Sequence, residues 1–330
     1  MRTELVGILK CLRCGAEGLQ LKNAEHDGRE VASGSVACRR CGLEYKIIDG
    51  ILDALVFPDP TVAAAREAYR RSKSSRIERS PEDLARRGHL DREYLKDSEA
   101  NFSQMLEGLG TSDGWALDIG AGTGWTTAGV ARKGYRAVAL DISADHKLEL
   151  AKHHFGPGLY FDRVLADMNH LPFRDSSFSL AFSSASLHHS RDLRISLNEI
   201  SRATALGGRL ELINEPVLGI LERFLPGRGH LEAEDGVLEN HYSYSVWTKT
   251  LKGAGFDGRA KFPENIASRL ASGDFSKRHK FFRIAKALAG LWSIQVARVL
   301  QKKVLFRPGM ILLGLPLCYS GRKIRDSINA

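Results

Sequence analysis

The middle of the chain alternates short apolar runs with glycine turns and with segments of helical pattern. Trp115 to Ile119 is an apolar run of the length of a buried strand, and the glycines that follow it predict a tight turn. A helical segment, Thr126 to Lys133, comes next and ends before Gly134, a usual residue after a helix. The apolar runs Ala137 to Leu140 and Arg163 to Ala166 predict two further strands. This alternation predicts an α/β fold with a doubly wound sheet.

Glycine and aspartate mark the ends of these predicted strands. The turn has glycine at alternate positions, Gly120, Gly122 and Gly124, whereas the dinucleotide-binding fingerprint needs its third glycine at Trp125. This spacing suits a nucleoside ligand without a pyrophosphate. Each of the two later strands is followed by an aspartate, and strand ends at the carboxyl edge of a doubly wound sheet line its ligand crevice. A dehydrogenase, or a Rossmann-like domain with coincidental acids, is the alternative interpretation.

Taken together, the motifs of this region resemble those of class I S-adenosylmethionine-dependent methyltransferases, in particular the type 11-like domain. Leu117 to Gly124 is similar to the first motif of that family, Leu140 to Ser143 to its ribose-binding motif, and Ala166 to Met168 to its adenine motif. The resemblance covers roughly residues 90 to 262 and implies a mostly parallel, seven-stranded sheet with S-adenosylmethionine as its cofactor. The cofactor-binding residues that it implies are Asp118, Gly120, Gly122, Gly124, Asp141, Asp167 and Met168.

The resemblance also implies a role for each acid at the cofactor site. Asp141 would accept hydrogen bonds from the ribose hydroxyls, and Asp167 would accept one from the exocyclic amine of adenine. Asp118 would order the glycine turn. A helix that begins near Trp125 would direct its N-terminus toward the methionine carboxylate.

Two Cys-x-x-Cys pairs near the start of the chain are an independent signal. Four thiolates on two short turns, each followed by glycine, suit tetrahedral zinc in a closed, structural site. Residues 41–51 resemble the zinc-ribbon end of small activator proteins of RNA and protein methyltransferases. Two disulfides in a secreted protein are the alternative, but Met1 to Leu9 lacks the apolar core of a signal peptide, so we expect a reducing compartment. The predicted zinc ligands are Cys11, Cys14, Cys38 and Cys41.

These signals divide the chain of 330 residues into four parts. We expect a zinc ribbon over residues 1–57 and a polar linker with helices over residues 58–89. The methyltransferase domain would span residues 90–262, and a basic amphipathic extension would follow over residues 263–330. A helix from Glu93 to Leu109 is expected to pack across the mouth of the cofactor site as a lid.

The positive charge of the chain is concentrated in its C-terminal part. Residues 269–330 carry 13 Lys or Arg against two acids, a local net charge of +11, in a chain whose net charge is +9. Three interpretations are open: a segment that lies on an anionic membrane surface, an RNA-binding surface, and helices that complete the fold. The basic run Lys277 to Arg283 and the apolar stretch Ile284 to Leu300 would carry the membrane contact. No apolar run approaches the roughly 18 residues that span a bilayer.

Candidate groups for the reaction follow the fourth and fifth predicted strands. The fourth, Phe178 to Phe182, is not followed by the Asn/Asp-Pro-Pro-aromatic motif that amino-methylating DNA and RNA enzymes often carry. We therefore expect methyl transfer to oxygen or carbon of a small-molecule, sugar or lipid acceptor. His188 or His189 can act as the base, because neutral imidazole titrates near working pH, and Glu215 is the second candidate. A packing and capping role of the histidine pair near Asp192 is the alternative.

The sequence as a whole predicts a cytoplasmic methyltransferase, with peripheral contact to the inner face of the membrane through residues 269–330. Residues Asn240 to Tyr244 are expected to border the acceptor pocket. Two other functions stay open. One is an rRNA or tRNA base methyltransferase whose ribbon grips the RNA, and the other is a non-catalytic partner protein that binds S-adenosylmethionine to stabilise a complex.

Overall fold

The strands of the protein form one continuous mixed sheet. The computed structural model describes residues 1–72, 92–220, 237–267 and 306–327, and the sheet comprises 11 strands within these ranges. The strands are β1 (Gln20–Asp27), β2 (Glu30–Ala37), β3 (Glu44–Ile48), β4 (Ile51–Asp53), β5 (Trp115–Ile119), β6 (Arg136–Asp141), β7 (Asp162–Leu165), β8 (Phe178–Ser184), β9 (Thr204–Glu215), β10 (Phe256–Lys261) and β11 (Leu317–Lys323).

The seven strands from β5 to β11 confirm the predicted mostly parallel, doubly wound sheet. Their spatial order is β7-β6-β5-β8-β9-β11-β10. All neighbouring pairs from β7 to β9 are parallel, whereas β11 is antiparallel to both β9 and β10. The chain moves outward from β5 through β6 to β7 and resumes at β8 on the other side of β5, so a ligand crevice is expected at the carboxyl ends of β5 and β8.

Helices lie between the strands, and local sequence signals set their ends. The side chain of Asp192 accepts hydrogen bonds from the N–H groups of Arg194 and Ile195, which caps the helix that follows β8. The predicted lid helix is present, and its Asn101 donates to the side chain of Asn214 at the end of β9. Its action as a lid stays a prediction. The helices are α1 (Pro60–Ser72), α2 (Arg92–Glu107), α3 (Trp125–Ala131), α4 (Leu193–Ala203), α5 (Tyr244–Gly253) and α6 (Phe306–Leu313).

The cysteine-bearing ribbon continues the sheet of the core. Its last strand, β4, pairs in parallel with β7, and beyond that pair the N–H of Ala54 donates to the carbonyl of Leu165 at 2.9 Å. Tyr45 of the ribbon is buried in the same hydrophobic cluster as Leu117 of β5. The ribbon is therefore packed on the core through both backbone and side chains. The predicted boundary at residue 57, like the other domain boundaries, stays a prediction.

A buried ion pair reinforces this connection. The guanidinium of Arg163, on β7, is fully buried, and its Nη2 donates to Oε1 of Glu30 at 3.0 Å and to the carbonyl of Asp49 at 2.6 Å. The hydroxyl of Tyr160 donates to Oε2 of Glu30 at 2.7 Å. Burial acts to raise the pKa of Glu30, but Tyr160 and Arg163 outweigh it and hold that pKa below its ordinary value. The carboxylate thus stays ionised beside a buried cation.

The C-terminal part of the chain contributes one strand to the central sheet. Strand β11 lies within the predicted extension of residues 263–330, yet it inserts between β9 and β10 and pairs with both. Part of this extension therefore completes the central sheet. The basic run Lys277 to Arg283 and the apolar stretch Ile284 to Leu300, which would carry the membrane contact, lie outside the described residues. Of the helices in the described ranges, none has the length and apolar character required to cross a membrane.

Replacing Glu30 by alanine tests the buried link between ribbon and core. The substitution leaves the guanidinium of Arg163 buried without its carboxylate, so we expect the free energy of unfolding to fall by about 3–5 kcal/mol. The matched control is Glu44→Ala, which removes an exposed ion pair to Lys22 (3.2 Å) and should cost less than about 1 kcal/mol. Chemical denaturation followed by circular dichroism measures both losses. Equal losses for the two variants would contradict the role given to the buried pair.

Candidate functional site

Glycines in the left-handed region shape the turn between β5 and α3. The φ angle is +69° at Gly120, +56° at Gly122 and +76° at Gly124, a region where a residue with a Cβ is strained. The N–H groups of Gly120 and Ala121 donate to the carbonyl of Leu140 at 2.8 and 2.9 Å, which ties the turn to β6. No atom of the described residues lies within 4 Å of the position that a Cβ on Gly122 would take. The turn therefore faces open space at its centre.

The carboxylate of Asp118 lies buried beneath this turn. Its Oδ2 accepts hydrogen bonds from the hydroxyls of Thr126 and Thr127, each at 2.6 Å, which fixes the start of α3. Its Oδ1 is buried and has no hydrogen-bond partner among the described residues. Burial raises the pKa of Asp118 to about 7, although the two threonine bonds act to lower it. A buried acceptor of this kind is suited to a donor supplied by a ligand.

Asp141, at the end of β6, contacts the glycine turn directly. Its Oδ2 accepts from the N–H of Gly122 and its Oδ1 from the N–H of Ser143, both at 3.0 Å. The ammonium of Lys147 lies 3.5 Å from Oδ1 and 3.8 Å from the ring centroid of Tyr69, which belongs to α1. The structure thus brings a cation and an aromatic ring to the predicted ribose position. Sequence analysis missed both residues, because neither belongs to a recognisable motif.

Asp167 and Met168 follow β7 at the same edge of the sheet. Oδ1 of Asp167 accepts from the backbone N–H and the side-chain amide of Asn169, at 2.8 and 2.9 Å. Met168 is half-buried and packs against the main hydrophobic cluster. Asp167 also lines a cleft of about 210 Å³, to which Leu12 and Phe57 of the predicted ribbon contribute a wall. The pairing of β4 with β7 therefore places ribbon residues beside the predicted adenine site.

Glu215 organises the loop that follows β8. The carboxylate is fully buried, and it accepts from the hydroxyl of Ser183 and from the N–H groups of Ser186, Leu187 and His188 at 3.0 to 3.2 Å. The Nδ1 of His188 lies 3.0 Å from Oε2. Burial acts to raise the pKa of Glu215, but the bonds from His188 outweigh it, so the pKa is lowered. Glu215 is therefore placed to position the loop.

The two histidines meet a third acidic residue, Glu239. The Nε2 of His188 lies 3.4 Å from Oε2 of Glu239, and the Nδ1 of His189 lies 2.6 Å from the carbonyl oxygen of Leu238. Burial acts to lower the pKa of His188, but Glu215 and Glu239 outweigh it and raise that pKa to about 9. Burial, together with His188, lowers the pKa of His189. The pKa values of the two neighbouring imidazoles are thus shifted in opposite directions.

The stretch Asn240 to Tyr244 packs against this histidine loop. The N–H of Asn240 donates to the carbonyl of His188 at 3.0 Å, and its side-chain amide donates to the carbonyl of Ser190 at 2.9 Å. The stretch therefore lies beside the histidine loop, and its role as a border of the acceptor pocket stays a prediction. Glu239, one residue earlier, was missed, because an acid in a loop carries no local signal of its partners.

The four cysteines of the ribbon meet in one cluster. The Sγ atoms of Cys11 and Cys41 lie 3.5 Å apart, and those of Cys14 and Cys38 lie 3.6 Å apart. Zinc held at about 2.3 Å by four thiolates in a tetrahedron places its sulfurs about 3.8 Å from one another. All four thiols are free, so the disulfide alternative has no support here. The donor set and its spacing fit a structural zinc ion.

The surroundings of the sulfurs also suit a cation. Burial acts to raise the pKa of Cys11, but hydrogen bonds from the N–H groups of Cys14 and Arg13 outweigh it and lower that pKa to about 6. For Cys14, a bond from the N–H of Ala16 acts to lower the pKa, yet burial and the neighbouring sulfurs raise it to about 11. The cluster thus favours ionisation of one thiol and opposes ionisation of a second one. A divalent ion at the centre of the cluster would offset the repulsion between the thiolates.

Replacing Cys38 by serine tests the zinc assignment. Because structural zinc sites are held by all four ligands, we expect the purified wild-type chain to hold one zinc ion and the variant to lose it. Since the ribbon shares its core with β5 and β7, loss of the metal should also lower the melting temperature of the whole protein. Metal analysis and calorimetry measure the two effects. Cys318→Ser, a buried thiol outside the cluster, is the control that should retain zinc.

Part of the chain matches a known domain. The family model described as "Methyltransferase domain" matches residues 117–212, a range that runs from β5 into β9 and includes the glycine turn, Asp141 and the histidine pair. Among solved structures, the YcgJ protein of Bacillus subtilis aligns with 69% of this chain and 99% of its own, at 18% identity and a TM-score of 0.45. Values this low do not identify a function.

Curated relatives also match part of the chain. The malonyl-[acyl-carrier protein] O-methyltransferase of Halorhodospira halophila is 31% identical over 152 residues, which cover 46% of this chain and 49% of that protein. The demethylmenaquinone methyltransferase of Corynebacterium efficiens is 36% identical over 106 residues, 32% of this chain and 44% of that protein. The chain thus spans less than half the length of these relatives. Residues 117–212 thus match a methyltransferase domain, and the strand order and the glycine turn are those that the sequence predicts for this region.

Proposed function

We propose that the protein transfers a methyl group from S-adenosylmethionine to oxygen or carbon of a small-molecule, sugar or lipid acceptor. The observation that carries the proposal is the glycine turn, which faces open space at Gly122 above the buried, unpartnered Oδ1 of Asp118. A backbone cradle of this kind admits a ligand without a side chain in its way. The matches to methyltransferases over residues 117–212 support the same conclusion.

We propose partners for three polar parts of this cofactor: its ammonium group, its ribose hydroxyls and its adenine amine. The ammonium group of its methionyl part is a donor of the type that Oδ1 of Asp118 lacks. Asp141 and Asp167 are the proposed acceptors for the ribose hydroxyls and the adenine amine, and Met168 offers an apolar contact. When bound, S-adenosylmethionine supplies an electrophilic methyl group on a positively charged sulfur. The protein has to hold the acceptor in line with that group and accept or release the acceptor's proton.

The loop after β8 is the proposed acceptor side. The hydroxyl of Ser186 donates to the carbonyl of Gly120 at 3.0 Å, so this loop touches the glycine turn. His188 and His189 follow at once, and Glu215 fixes the loop through three backbone N–H bonds. Glu215 is thus proposed as a positioning residue, and the histidines as the groups that face the acceptor. The names of the relatives, an O-methyltransferase of malonyl-[acyl-carrier protein] and a demethylmenaquinone methyltransferase, support acceptors of small-molecule type.

Two further predictions concern where the protein is located. The free thiols of the ribbon support a reducing compartment, and a cytoplasmic location stays a prediction. Membrane contact through residues 269–330 also stays a prediction, since its basic run lies outside the described residues.

The variant Gly122→Ala tests the cofactor site. The added methyl group projects into the open space beside the turn, so calorimetry should show S-adenosylmethionine bound at least about tenfold more weakly, a loss of about 1.4 kcal/mol. The matched control is Gly207→Ala, because Gly207 also has a positive φ (+78°) and open space around its Cβ position. Both variants then carry a backbone strain of about 1–2 kcal/mol, but only Gly122→Ala adds a methyl group at the proposed cofactor site. Equal affinity in both variants, or tighter binding of NAD than of S-adenosylmethionine, argues against the proposal.

Incubation with methyl-labelled S-adenosylmethionine and fractionated cell extract tests the acceptor class. We expect label in a small-molecule, polysaccharide or lipid fraction and a strongly reduced signal for Gly122→Ala. Label confined to RNA would support the base methyltransferase instead. Cofactor binding without label in any fraction would support the non-catalytic partner protein.

A further inference from the structure

We infer that His188, His189 and Glu239 form a binding site for a divalent transition-metal ion such as zinc, distinct from the cysteine cluster. The three residues bring their ligand atoms within 4.8 Å of one another. Two imidazoles and one carboxylate are a donor set found in metal sites that keep open coordination positions. The inference concerns the acceptor side of the pocket and rests on the proposed function only for the role of the ion.

The rings are held in the tautomer that a metal ion requires. The Nδ1 of His188 faces the buried carboxylate of Glu215 at 3.0 Å, and the Nδ1 of His189 faces the carbonyl oxygen of Leu238 at 2.6 Å. Both Nδ1 atoms therefore carry hydrogen and donate it. The atom that binds a metal ion is then Nε2, and at neutral pH the ion has to displace the second proton that His188 carries there. Carboxylates and backbone carbonyls are the usual outer partners of metal-binding histidines, because they fix the tautomer and the orientation of the ring.

The spacing of the ligand atoms also fits a metal ion. The Nε2 of His188 lies 3.4 Å from Oε2 of Glu239. Two ligands bound at about 2.0–2.2 Å in a tetrahedron lie about 3.4 Å apart, so an ion fits between these atoms without a large movement. The Nδ1 of His189 lies 3.7 Å from Oε1 of Glu239, and the two imidazole centroids are 4.0 Å apart, so both rings lie beside the same carboxylate.

The charges around the cluster favour a cation. Glu215 and Glu239 contribute two carboxylates, and in the described part of the chain their ion pairs involve only the two histidines, with no Lys or Arg. Glu215 is fully buried, His188 nearly so, and the side chain of Glu239 is 33% exposed. An ion can therefore enter from the side of Glu239. Two carboxylates and two neutral imidazoles balance the charge of a divalent ion.

The position of the site indicates what the ion would do. Ser186, two residues before His188, touches the glycine turn through the carbonyl of Gly120. His188, His189 and Glu239 would hold the ion on the proposed acceptor side, where it would offer a site to an alcohol or enol oxygen of the acceptor. Binding to the ion lets that hydroxyl release its proton to solvent more easily. The oxygen then forms its bond to the methyl carbon, while the carbon–sulfur bond breaks and its electron pair stays on sulfur.

Cobalt binding to the full chain tests the inference without any methyl transfer. The ribbon is first filled with zinc, and Co²⁺ is then added, because its absorption spectrum distinguishes thiolate ligands from nitrogen and oxygen ligands. We expect one additional Co²⁺ per chain with the weak bands of a nitrogen and oxygen site. His189→Ala and Glu239→Gln should bind it at least about tenfold more weakly.

The controls keep the experiment specific. His153→Ala and Glu149→Gln change an exposed histidine and an exposed glutamate elsewhere, and they should bind Co²⁺ as the wild type does. An unchanged zinc content and circular dichroism spectrum show that each variant is folded. Absence of additional Co²⁺ in the wild type, or equal binding in all variants, would overturn the inference. Failure of methyl transfer with every acceptor would contradict the proposed function and leave the cobalt result unaffected.

Discussion

The buried carboxylate of Glu215 is the interaction on which the functional edge of the sheet depends. It collects three backbone N–H groups and one imidazole from the loop after β8, so the loop has one conformation with all its inward donors satisfied. The same loop then reaches the glycine turn through Ser186 and the segment around Asn240 through the carbonyl of His188. A carboxylate at the end of β9 thereby sets the geometry of both the cofactor side and the acceptor side. A hydrocarbon side chain of similar size would leave these donors buried and unpaired.

Residues of the ribbon lie at the same carboxyl edge of the sheet because β4 runs parallel to β7. A strand parallel to β7 delivers its following residues to the carboxyl edge, and this brings Phe57 beside Asp167 and Tyr69 beside Lys147. An antiparallel strand at this place would deliver them to the opposite edge, away from the cofactor site. The cysteine cluster at the other end of the ribbon is therefore connected to the proposed cofactor site through one strand and a shared core.

The sequence predicted the fold where the signal is local. The strand Trp115–Ile119 was predicted with its observed bounds, because an apolar run followed by glycines is a local pattern. The pairing of β4 with β7 and the insertion of β11 were not predicted, since each joins segments far apart in the chain. Among the motif residues, Asp141 contacts the glycine turn, and the roles of the motif residues stay a prediction, whereas Tyr69 and Glu239 lie beside Lys147 and His188 by tertiary packing alone. The reason is physical. The periodicity of apolar residues indicates which face of a helix or strand is buried, but it does not indicate which other helix or strand packs against that face.

The place of β11 has a consequence for synthesis of the protein on the ribosome. Among the described strands, β10 pairs only with β11, and β11 also covers the edge of β9, so neither contact can form before residues 317–323 have emerged. The nascent chain must carry β9 with an open edge while about 100 further residues are translated, on the order of 5–20 s at typical elongation rates. Exposed strand edges are templates for wrong pairing during that interval. Recognition of this edge by a chaperone would thus matter more for yield than the final stability of the sheet.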